Sequence, residues 1–513
     1  MIFLRLSAVE LSTRLRAYHA SLMTFRANLQ RQSSGNKLSK NLKLSKKSIA
    51  LISTVGLFLL VGFIGIPELT RNLLFYPDAP TANFPIPNNE TEARLQDLEY
   101  FENYVRGYDR SFHFRARGNA LSQINELRKD VDKLSQAGFE LAISEVVALG
   151  ENGHSNVWNH SRAKRYPAMP YQGYWFDDGY HIVATTSEYV SLLGARVTHI
   201  GDTDIEVIKD AFRRYYGGED SGFIAYAFPF LIQNTAFLFE LGFINNKLNL
   251  DVTIINNEGS VEKSHIKAIP PQKDRHIQSP WRWLVPEWDH DHNKQFIGFS
   301  NDRNYDPLYL KTNDEFQLSR LSDLKILYIQ YRQNNDGHQM SISEFNKKIR
   351  QEISSFKPEV LIFDQRFNGG GDYTKTADLM FEIPELMPEG SRVYAIAGHE
   401  TFSAGISSLG FLKDALHNEL IIVGRRIGDS PLSWGETNDF ILPNSGIEMT
   451  AARGLHDQLY GCEDWIQCYW TDFKYPAAVG SLEPDIPVPF TFADYKAGVD
   501  ASLSSIISIE SSN

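Results

Sequence analysis

Cysteine is almost missing from this 513-residue chain, and there is no excess of positive charge. Only Cys462 and Cys468 are present, too few for a disulfide-rich scaffold, and a zinc site would need two further ligands at suitable spacing. Lys and Arg number 51 against 63 Asp and Glu, a formal net charge of -12 at pH 7. This balance argues against a protein whose main task is to bind nucleic acid.

Extremes of composition are missing as well. Hydrophobic residues make up 42%, aromatic residues 12% and charged residues 22% of the chain, which is ordinary for two or three globular domains. Wholesale disorder, collagen-like repeats and a polytopic membrane protein are disfavoured by these proportions.

One long apolar run is present, residues 48–66 (SIALISTVGLFLLVGFIGI), and it carries no charge. A helix of this length, rising about 1.5 Å per residue, just crosses a hydrocarbon core. Residues 1–47 contain ten Lys or Arg and a single acid, Glu10. Because positive flanks stay in the cytoplasm, we predict a basic cytoplasmic tail, a transmembrane signal-anchor and an extracytoplasmic body. A cleaved signal peptide and a buried core helix are the alternatives.

The body divides by pattern into four parts. Residues 67–91 include the Pro- and Asn-rich stretch PDAPTANFPIPNN, which predicts a linker. Between residues 92 and 150, apolar residues recur every three or four positions, which predicts a small helical bundle. Residues 151–320 mix strand-like and helical runs, and within them 193–208 predicts a strand, a turn and a helix. The fourth part, 321–513, alternates strands and helices.

This C-terminal part predicts an α/β core. Short apolar runs at 326–331, 360–363, 393–397 and 420–423 predict buried strands. Between the first two, Ser341 and Glu344 have the spacing of a capping box at the start of a helix.

Two of the predicted strands end in unusual loops. The strand at 360–363 leads to three consecutive glycines at 369–371, which permit a ligand to approach backbone N–H groups closely. The loop is not a phosphate loop, because Gly-Lys-Ser/Thr is missing. The strand at 393–397 runs into GHETFSAG, which places Ser403 near the first turn of a helix that would stabilise an oxyanion. A flexible turn and an N-cap serine are the alternatives.

These loops resemble the tail-specific protease family, also called C-terminal processing peptidases. The resemblance is carried by RFNGGGD at 366–372 and TFSAG at 401–405, and three more segments are similar in the same order: GENGHS at 150–155, WGETNDFILPNSG at 434–446 and LEPDIPV at 482–488. The resemblance implies a serine peptidase with a crotonase-like ββα core and no metal or organic cofactor.

The resemblance also implies catalytic residues. One branch of the family pairs its serine with a downstream lysine, but 424–435 (GRRIGDSPLSWG) contains none, and arginine cannot act as a base. The tricorn-core-like branch uses a histidine and an acid. It implies Ser403 as nucleophile, His154 as general base and Glu436 as the acid, with an oxyanion hole formed by Gly370 and Ala404.

Several positions leave alternatives open. Asn152 stands where the family has Asp, and Asp429, Asp439 and Glu400 are alternative acids. Arg425 and Arg426 replace what is commonly Glu-Pro. Substrate-binding residues implied by the same loops are Gly369, Gly371 and Arg426, the last through a substrate carboxylate.

Two further clusters have residue types that suit a disulfide or a metal site. Cys462 and Cys468 are six positions apart, which predicts a small disulfide in an exported domain, with two free thiols as the alternative. The cluster DHDH at 289–292 suggests metal ligands, but a loop imposes no convergence on adjacent residues, so no metal site is predicted.

The sequence therefore predicts a membrane-anchored serine endopeptidase that acts outside the cytoplasm on extended or unfolded polypeptides. Residues 193–208 resemble the peptide-binding module that often lies between histidine and serine in such enzymes, with a purely structural role as the alternative. Two alternatives stay open: an inactive peptide-binding or scaffolding relative of the same fold, and a hydrolase that does not cleave peptides.

Overall fold

The computed structural model describes residues 72–512, apart from 158–161, 219, 273–278, 286–294, 300–306 and 313. The predicted tail and signal-anchor, and the DHDH cluster at 289–292, lie outside the described residues. Within the described ranges, no helix is both long and apolar enough to cross a membrane.

The strands fall into two sheets and a hairpin. In chain order they are β1 (Tyr171–Phe176), β2 (Gly179–Thr186), β3 (Arg196–Ile200), β4 (Thr203–Asp204), β5 (Asn249–Ile255), β6 (Val261–Lys267), β7 (Phe296–Gly298), β8 (Phe316–Leu321), β9 (Ile326–Tyr331), β10 (Val360–Asp364), β11 (Arg392–Ala397), β12 (Leu420–Gly424), β13 (Leu432–Ile441), β14 (Glu448–Asp457) and β15 (Ile486–Pro487).

The α-helices lie mainly at the two ends of the chain and over the sheets. In chain order they are α1 (Glu90–Asn103), α2 (Phe114–Asp130), α3 (Gln136–Ala148), α4 (Arg162–Arg165), α5 (Ile205–Phe212), α6 (Asp220–Ile232), α7 (Thr235–Glu240), α8 (Ile342–Phe356), α9 (Thr374–Leu386), α10 (Ala404–Leu416), α11 (Phe492–Ala497) and α12 (Ala501–Ser512).

The C-terminal sheet has the strand order β15-β12-β11-β10-β9-β8. All neighbouring pairs are parallel except β8 and β9. β10 is buried along its whole length, as expected for a parallel strand covered on both faces. Helices α8, α9 and α10 cover one face, and α12 covers the other. The predicted α/β core is confirmed, and Ser341 and Glu344 form the predicted capping box of α8.

The middle region forms an antiparallel sheet in the order β1-β2-β3-β5-β6, with β4 beside β3 and β7 beside β2. The predicted strand, turn and helix at 193–208 correspond to β3, the turn at Gly201 and α5. Gly201 has a φ of +59°, the conformation that makes a glycine favourable at this turn.

Helices α1 to α3 share a hydrophobic core with the β13–β14 hairpin. For example, the ring of Tyr100 in α1 stacks on Phe440 in β13, with centroids 4.7 Å apart. Residues 72–76, within the predicted linker, also pack on this side: Phe75 is fully buried against Tyr469 and Trp470. The N-terminal part of the body is therefore in direct contact with the C-terminal hairpin.

A disulfide closes the loop that follows β14. Cys462 and Cys468 are bonded, with their Cα atoms 5.9 Å apart. Cys468 is buried, and the carbonyl oxygen of Leu455 in β14 accepts a hydrogen bond from Tyr469 N–H at 2.9 Å. The bonded loop thus holds Tyr469 against the hairpin.

Candidate active site

Ser403 occupies the junction between β11 and α10. Its backbone has φ 53° and ψ -126°, a conformation that a residue with a side chain rarely adopts. Such strain persists only where the surrounding structure enforces it, and it is concentrated at functional sites. Because Ser403 immediately precedes α10, its hydroxyl lies at the positive end of the helix dipole.

The glycine loop after β10 lies directly against this junction. β10 and β11 are parallel neighbours, so their carboxyl ends meet at one edge of the sheet. Phe402 N–H donates to the Asn368 carbonyl at 3.0 Å. Gly370 has a φ of +109°, and a Cβ at this position would lie 2.6 Å from the Cβ of Ser403. Only glycine fits here without displacing the serine.

The two predicted oxyanion donors differ in whether their backbone N–H group already has a hydrogen-bond acceptor. Gly370 N–H donates to the side-chain oxygen of Asn368 at 3.1 Å. Ala404 is the first residue of α10, where the helix supplies no acceptor for the backbone N–H. In this conformation, Ala404 is therefore the donor that is left to face a developing oxyanion.

Ser403, His154 and Glu436 line one cavity of about 40 Å³. The predicted residues Gly371 and Ala404 also line it, and residues that sequence reasoning did not single out complete the wall: Tyr373, Ile406, Ser407, Pro431, Ser433, Gly435, His456 and Gln458. In the part of the chain that the structure describes, no hydrogen bond directly joins the three predicted catalytic side chains. Catalytic hydrogen bonds are commonly long in free enzymes and tighten with substrate.

The loop that carries His154 is fixed from several sides. Thr450 Oγ1 donates to the His154 carbonyl at 2.6 Å, and Gly153 N–H donates to Asp429 Oδ2 at 3.2 Å. Ser155 Oγ donates to Asp109 Oδ2 at 2.6 Å. Since Asp109 follows α1 and Thr450 lies in β14, the helical part and the hairpin together position the histidine.

Asn152 has a specific role in this loop. Its side-chain oxygen accepts a hydrogen bond from Trp434 N–H at 3.0 Å, and its amide nitrogen donates to Ser155 Oγ at 2.9 Å. An ionised aspartate has no donor for the second bond. The departure from the family motif therefore suits the local hydrogen bonding.

The environment of His154 favours its neutral form. Its ring stacks on Phe402 with centroids 4.5 Å apart. Burial and the positive charge of His456 lower the pKa of His154 to about 4, although Glu436 opposes the shift. Its Nδ1 is buried and has no hydrogen-bond partner among the described residues, which leaves Nε2 as the nitrogen for the cavity. At pH 7 the imidazole is thus unprotonated and able to accept a proton.

Glu436 is the acid that the structure places on this cavity. It interrupts the pairing of β13 with β14 and has a φ of +54°. The strand opposite leaves room for it, because a Cβ on Gly454 would lie 2.9 Å from Glu436 Cγ.

The alternative acids lie elsewhere. Asp429 accepts the Gly153 N–H, and Asp439 is exposed on β13. Glu400 is buried outside the cavity wall, and burial raises its pKa to about 8 against the opposing effect of Arg425.

A second histidine, His456, was not predicted as part of the site. Its Nε2 lies 3.6 Å from Glu436 Oε1, and its Nδ1 lies 3.0 Å from Asp472 Oδ2. Tyr373 donates its hydroxyl hydrogen to Asp472 Oδ1 at 2.6 Å. Burial alone would lower the pKa of His456, but Asp472 and Glu436 raise it to about 10. A protonated imidazole therefore lies beside the candidate catalytic acid.

Solved structures, but not sequences, relate this chain to known proteins. No protein-family model and no curated protein matches it. Mature CPAF matches with a TM-score of 0.53 and 12% identity, over 82% of this chain and 96% of that chain. This chain has the CPAF fold.

Two other matches have lower scores. The photosystem II D1 C-terminal processing protease has a TM-score of 0.33 and 12% identity, over 81% of this chain and 99% of that chain. Tricorn protease has a TM-score of 0.36 and 14% identity, over 84% of this chain and 37% of that chain.

Within the CPAF fold, two predicted substrate-binding residues do not line the Ser403 cavity. Arg426 lines a neighbouring cavity of about 140 Å³, and its Nε donates to Glu483 Oε1 at 2.8 Å. The two cavities share Pro431. Gly369 precedes Gly370 and is exposed. The substrate-binding roles of Arg426 and Gly369 stay predictions.

No metal-binding cluster of three or more His, Cys, Asp or Glu side chains occurs in the described ranges. The chemical groups that do converge are a hydroxyl, two imidazoles, a carboxylate and a helix N-terminus. This set can supply a nucleophile, a base, an acid partner and an oxyanion donor, which together suit acyl transfer.

The rate of any hydrolysis at this site should decrease as the pH is lowered. A base must be unprotonated, so kcat/KM should hold at neutral pH and fall as pH drops through about 4, the pKa of His154. His456→Gln removes the positive charge that helps to lower this pKa and should move the acid limb to higher pH. His265→Gln, an exposed histidine paired with Asp251, is the matched control.

A pH–rate profile of the wild type and both variants tests this. If kcat/KM of the wild type falls near the ordinary histidine pKa, the account is contradicted. It is also contradicted if kcat/KM falls at the same pH in the wild type and in His456→Gln.

Proposed function

We propose that this protein is a serine peptidase of the tail-specific type that cleaves extended or unfolded polypeptides. The observation that carries the proposal is the geometry of Ser403, held at a φ of +53° before α10 with Gly370 against it. His154 and Glu436 line the same cavity. The match to mature CPAF supports the proposal, because 82% of this chain is covered by the fold shared with that protein.

The proposed reaction is acyl transfer in two steps. Ser403 Oγ attacks the peptide carbonyl carbon while His154 Nε2 takes the hydroxyl proton. Ala404 N–H stabilises the oxyanion, and the protonated His154 is stabilised by Glu436. His154 then gives its proton to the leaving amine, which departs and leaves an acyl ester on Ser403. Water, deprotonated by His154, hydrolyses the ester and restores the enzyme.

The proposal includes a membrane anchor at 48–66 and a body that faces out of the cytoplasm. The basic residues before the anchor support this orientation. The Cys462–Cys468 disulfide supports an oxidising compartment for the body. Retention of the full chain in membranes after an alkaline carbonate wash tests the anchor, and release into the supernatant would contradict it.

The peptidase activity is tested by incubating residues 68–513 with an unstructured protein and identifying new termini by mass spectrometry. We expect internal cleavage products. Binding of the substrate without new termini would favour an inactive peptide-binding protein. Hydrolysis of small esters with no cleaved polypeptide would favour a hydrolase that is not a peptidase.

A further inference from the structure

We propose that Tyr76 is a positioning residue for the catalytic acid: its hydroxyl fixes the Glu436 carboxylate at the wall of the cavity that Glu436 shares with His154. The inference rests on the proposed function, because the triad defines what Glu436 is positioned for. Tyr76 lies outside every motif that points to the active site, and it follows the predicted anchor by ten residues.

The contact is a direct hydrogen bond. Tyr76 Oη–H donates to Glu436 Oε2, and the hydroxyl of Tyr469 lies 3.2 Å from that of Tyr76. Burial and the charge of Glu436 hold the pKa of Tyr76 above its ordinary value. The phenol is therefore protonated at neutral pH and acts as a donor to the carboxylate.

The backbone that carries Tyr76 is fixed to the hairpin. Asn438 in β13 donates its side-chain N–H to the Phe75 carbonyl at 3.0 Å, and Arg453 in β14 donates from Nη2 to the Leu74 carbonyl at 2.9 Å. Phe75 is fully buried, with its ring 5.3 Å from Tyr469. A hydroxyl mounted on such a segment has a defined position relative to Glu436.

Tyr76 and His456 contact opposite oxygens of Glu436. His456 Nε2 lies 3.6 Å from Oε1, which is too long for a hydrogen bond, and Asp472 orients that ring from the other side. A carboxylate offers about four acceptor positions, so Glu436 keeps capacity for a further donor. His154 Nδ1 is buried and has no partner in the described part of the chain, and the charge of Glu436 acts on this imidazole across the cavity that both residues line.

The charged and titratable groups near Glu436 come from four parts of the chain: Tyr76 from the N-terminal segment, His154 from its loop, His456 from β14, and Tyr373, Tyr469 and Asp472 from the flanking loops. Of these, Tyr76 is the neutral group with a direct hydrogen bond to the carboxylate. Removing its hydroxyl should therefore reorient Glu436 without changing the net charge of the site.

The experiment compares Tyr76→Phe with Tyr100→Phe in the full chain. Both variants remove one phenol hydroxyl; that of Tyr100 donates to the Pro80 carbonyl at 2.6 Å, away from the cavity. The first readout is peptide cleavage. The second is the tautomer of His154, read from its imidazole ¹⁵N shifts at pH 7 and assigned by the signal missing in His154→Gln. A carboxylate that accepts a hydrogen bond from Nδ1 favours the tautomer with hydrogen on Nδ1.

We expect Tyr76→Phe to lower kcat roughly tenfold with KM within about twofold, and to shift His154 away from the Nδ1–H tautomer. Tyr100→Phe should match the wild type in both. An unchanged tautomer in Tyr76→Phe would overturn the proposal, and so would a higher kcat, which would make Tyr76 an inhibitory contact. If the wild type cleaves no peptide, the proposed function fails, yet the tautomer comparison still decides the role of Tyr76.

Discussion

Ser403→Ala is expected to reduce kcat/KM for peptide cleavage by about a thousandfold or more, because it removes the atom that forms the acyl ester. The fold should be retained: alanine keeps the Cβ, and no hydrogen bond of the serine hydroxyl occurs among the described residues. Residual cleavage above the uncatalysed rate would come from the oxyanion donor and substrate binding.

The matched control is Ser407→Ala. Ser407 lies one helical turn farther along α10 and lines the same cavity, but it has ordinary helical backbone geometry. We expect Ser407→Ala to keep most of the activity, as measured by initial rates over a range of substrate concentrations. Equal losses in the two variants, or full activity in Ser403→Ala, would contradict the assignment of the nucleophile.

Gly370→Ala is expected to lower kcat/KM by about a hundredfold, although it lies in the neighbouring loop. The added methyl group would lie 2.6 Å from Ser403 Cβ and 3.1 Å from Ala404 N, so both the proposed nucleophile and the proposed oxyanion donor must move. Displacement of a reacting group by about 1 Å costs rates of this order.

Gly390→Ala separates this contact from the cost of backbone strain. Gly390 also has a positive φ, +80°, but a Cβ there meets nothing within 4 Å. Both variants should lose some stability, measured as the midpoint of urea unfolding, while only Gly370→Ala should lose activity at temperatures where both are folded. Comparable activity losses would mean that strain, rather than contact with Ser403, explains the result.

The α/β core could be predicted because its signals are local. The apolar runs of β9 to β12 and the capping box of α8 depend on residues within a few positions of one another. The meeting of the Ser403 and Gly370 loops also follows from the sequence, since parallel strands end at the same edge. What local sequence does not predict is that Gly370 N–H is already occupied by Asn368.

His456 is an example of a site residue that hairpin register could have revealed. The Asn-Ser-Gly turn at 444–446 pairs Ser433 with His456 and Thr437 with Ala452, which places the histidine close to Glu436. The family resemblance of 434–446 ends at Gly446 and therefore does not include the paired strand β14. The charge on His456 also depends on Asp472, and no strand pattern predicts that Asp472 lies near it.

Tyr76 and Arg426 show where sequence reasoning ends. Tyr76 is 360 positions from Glu436 and lies just before the Pro- and Asn-rich stretch, in residues that were predicted only as a linker. Arg426 was predicted to bind a substrate carboxylate, which stays a prediction, and its Nε donates to Glu483, 57 positions later. Long-range contacts between single side chains carry no periodic signal, so neither outcome could be predicted from the chain alone.

Covalent labelling tests the central claim most directly. The wild-type protein is treated at pH 7 with a fluorophosphonate, which phosphonylates activated serines with loss of fluoride, and the modified peptide is sequenced by mass spectrometry. We predict a single adduct on Ser403, lost in Ser403→Ala and strongly slowed in His154→Gln. An adduct on another serine, or no adduct on a folded protein, would contradict an activated nucleophile at this position.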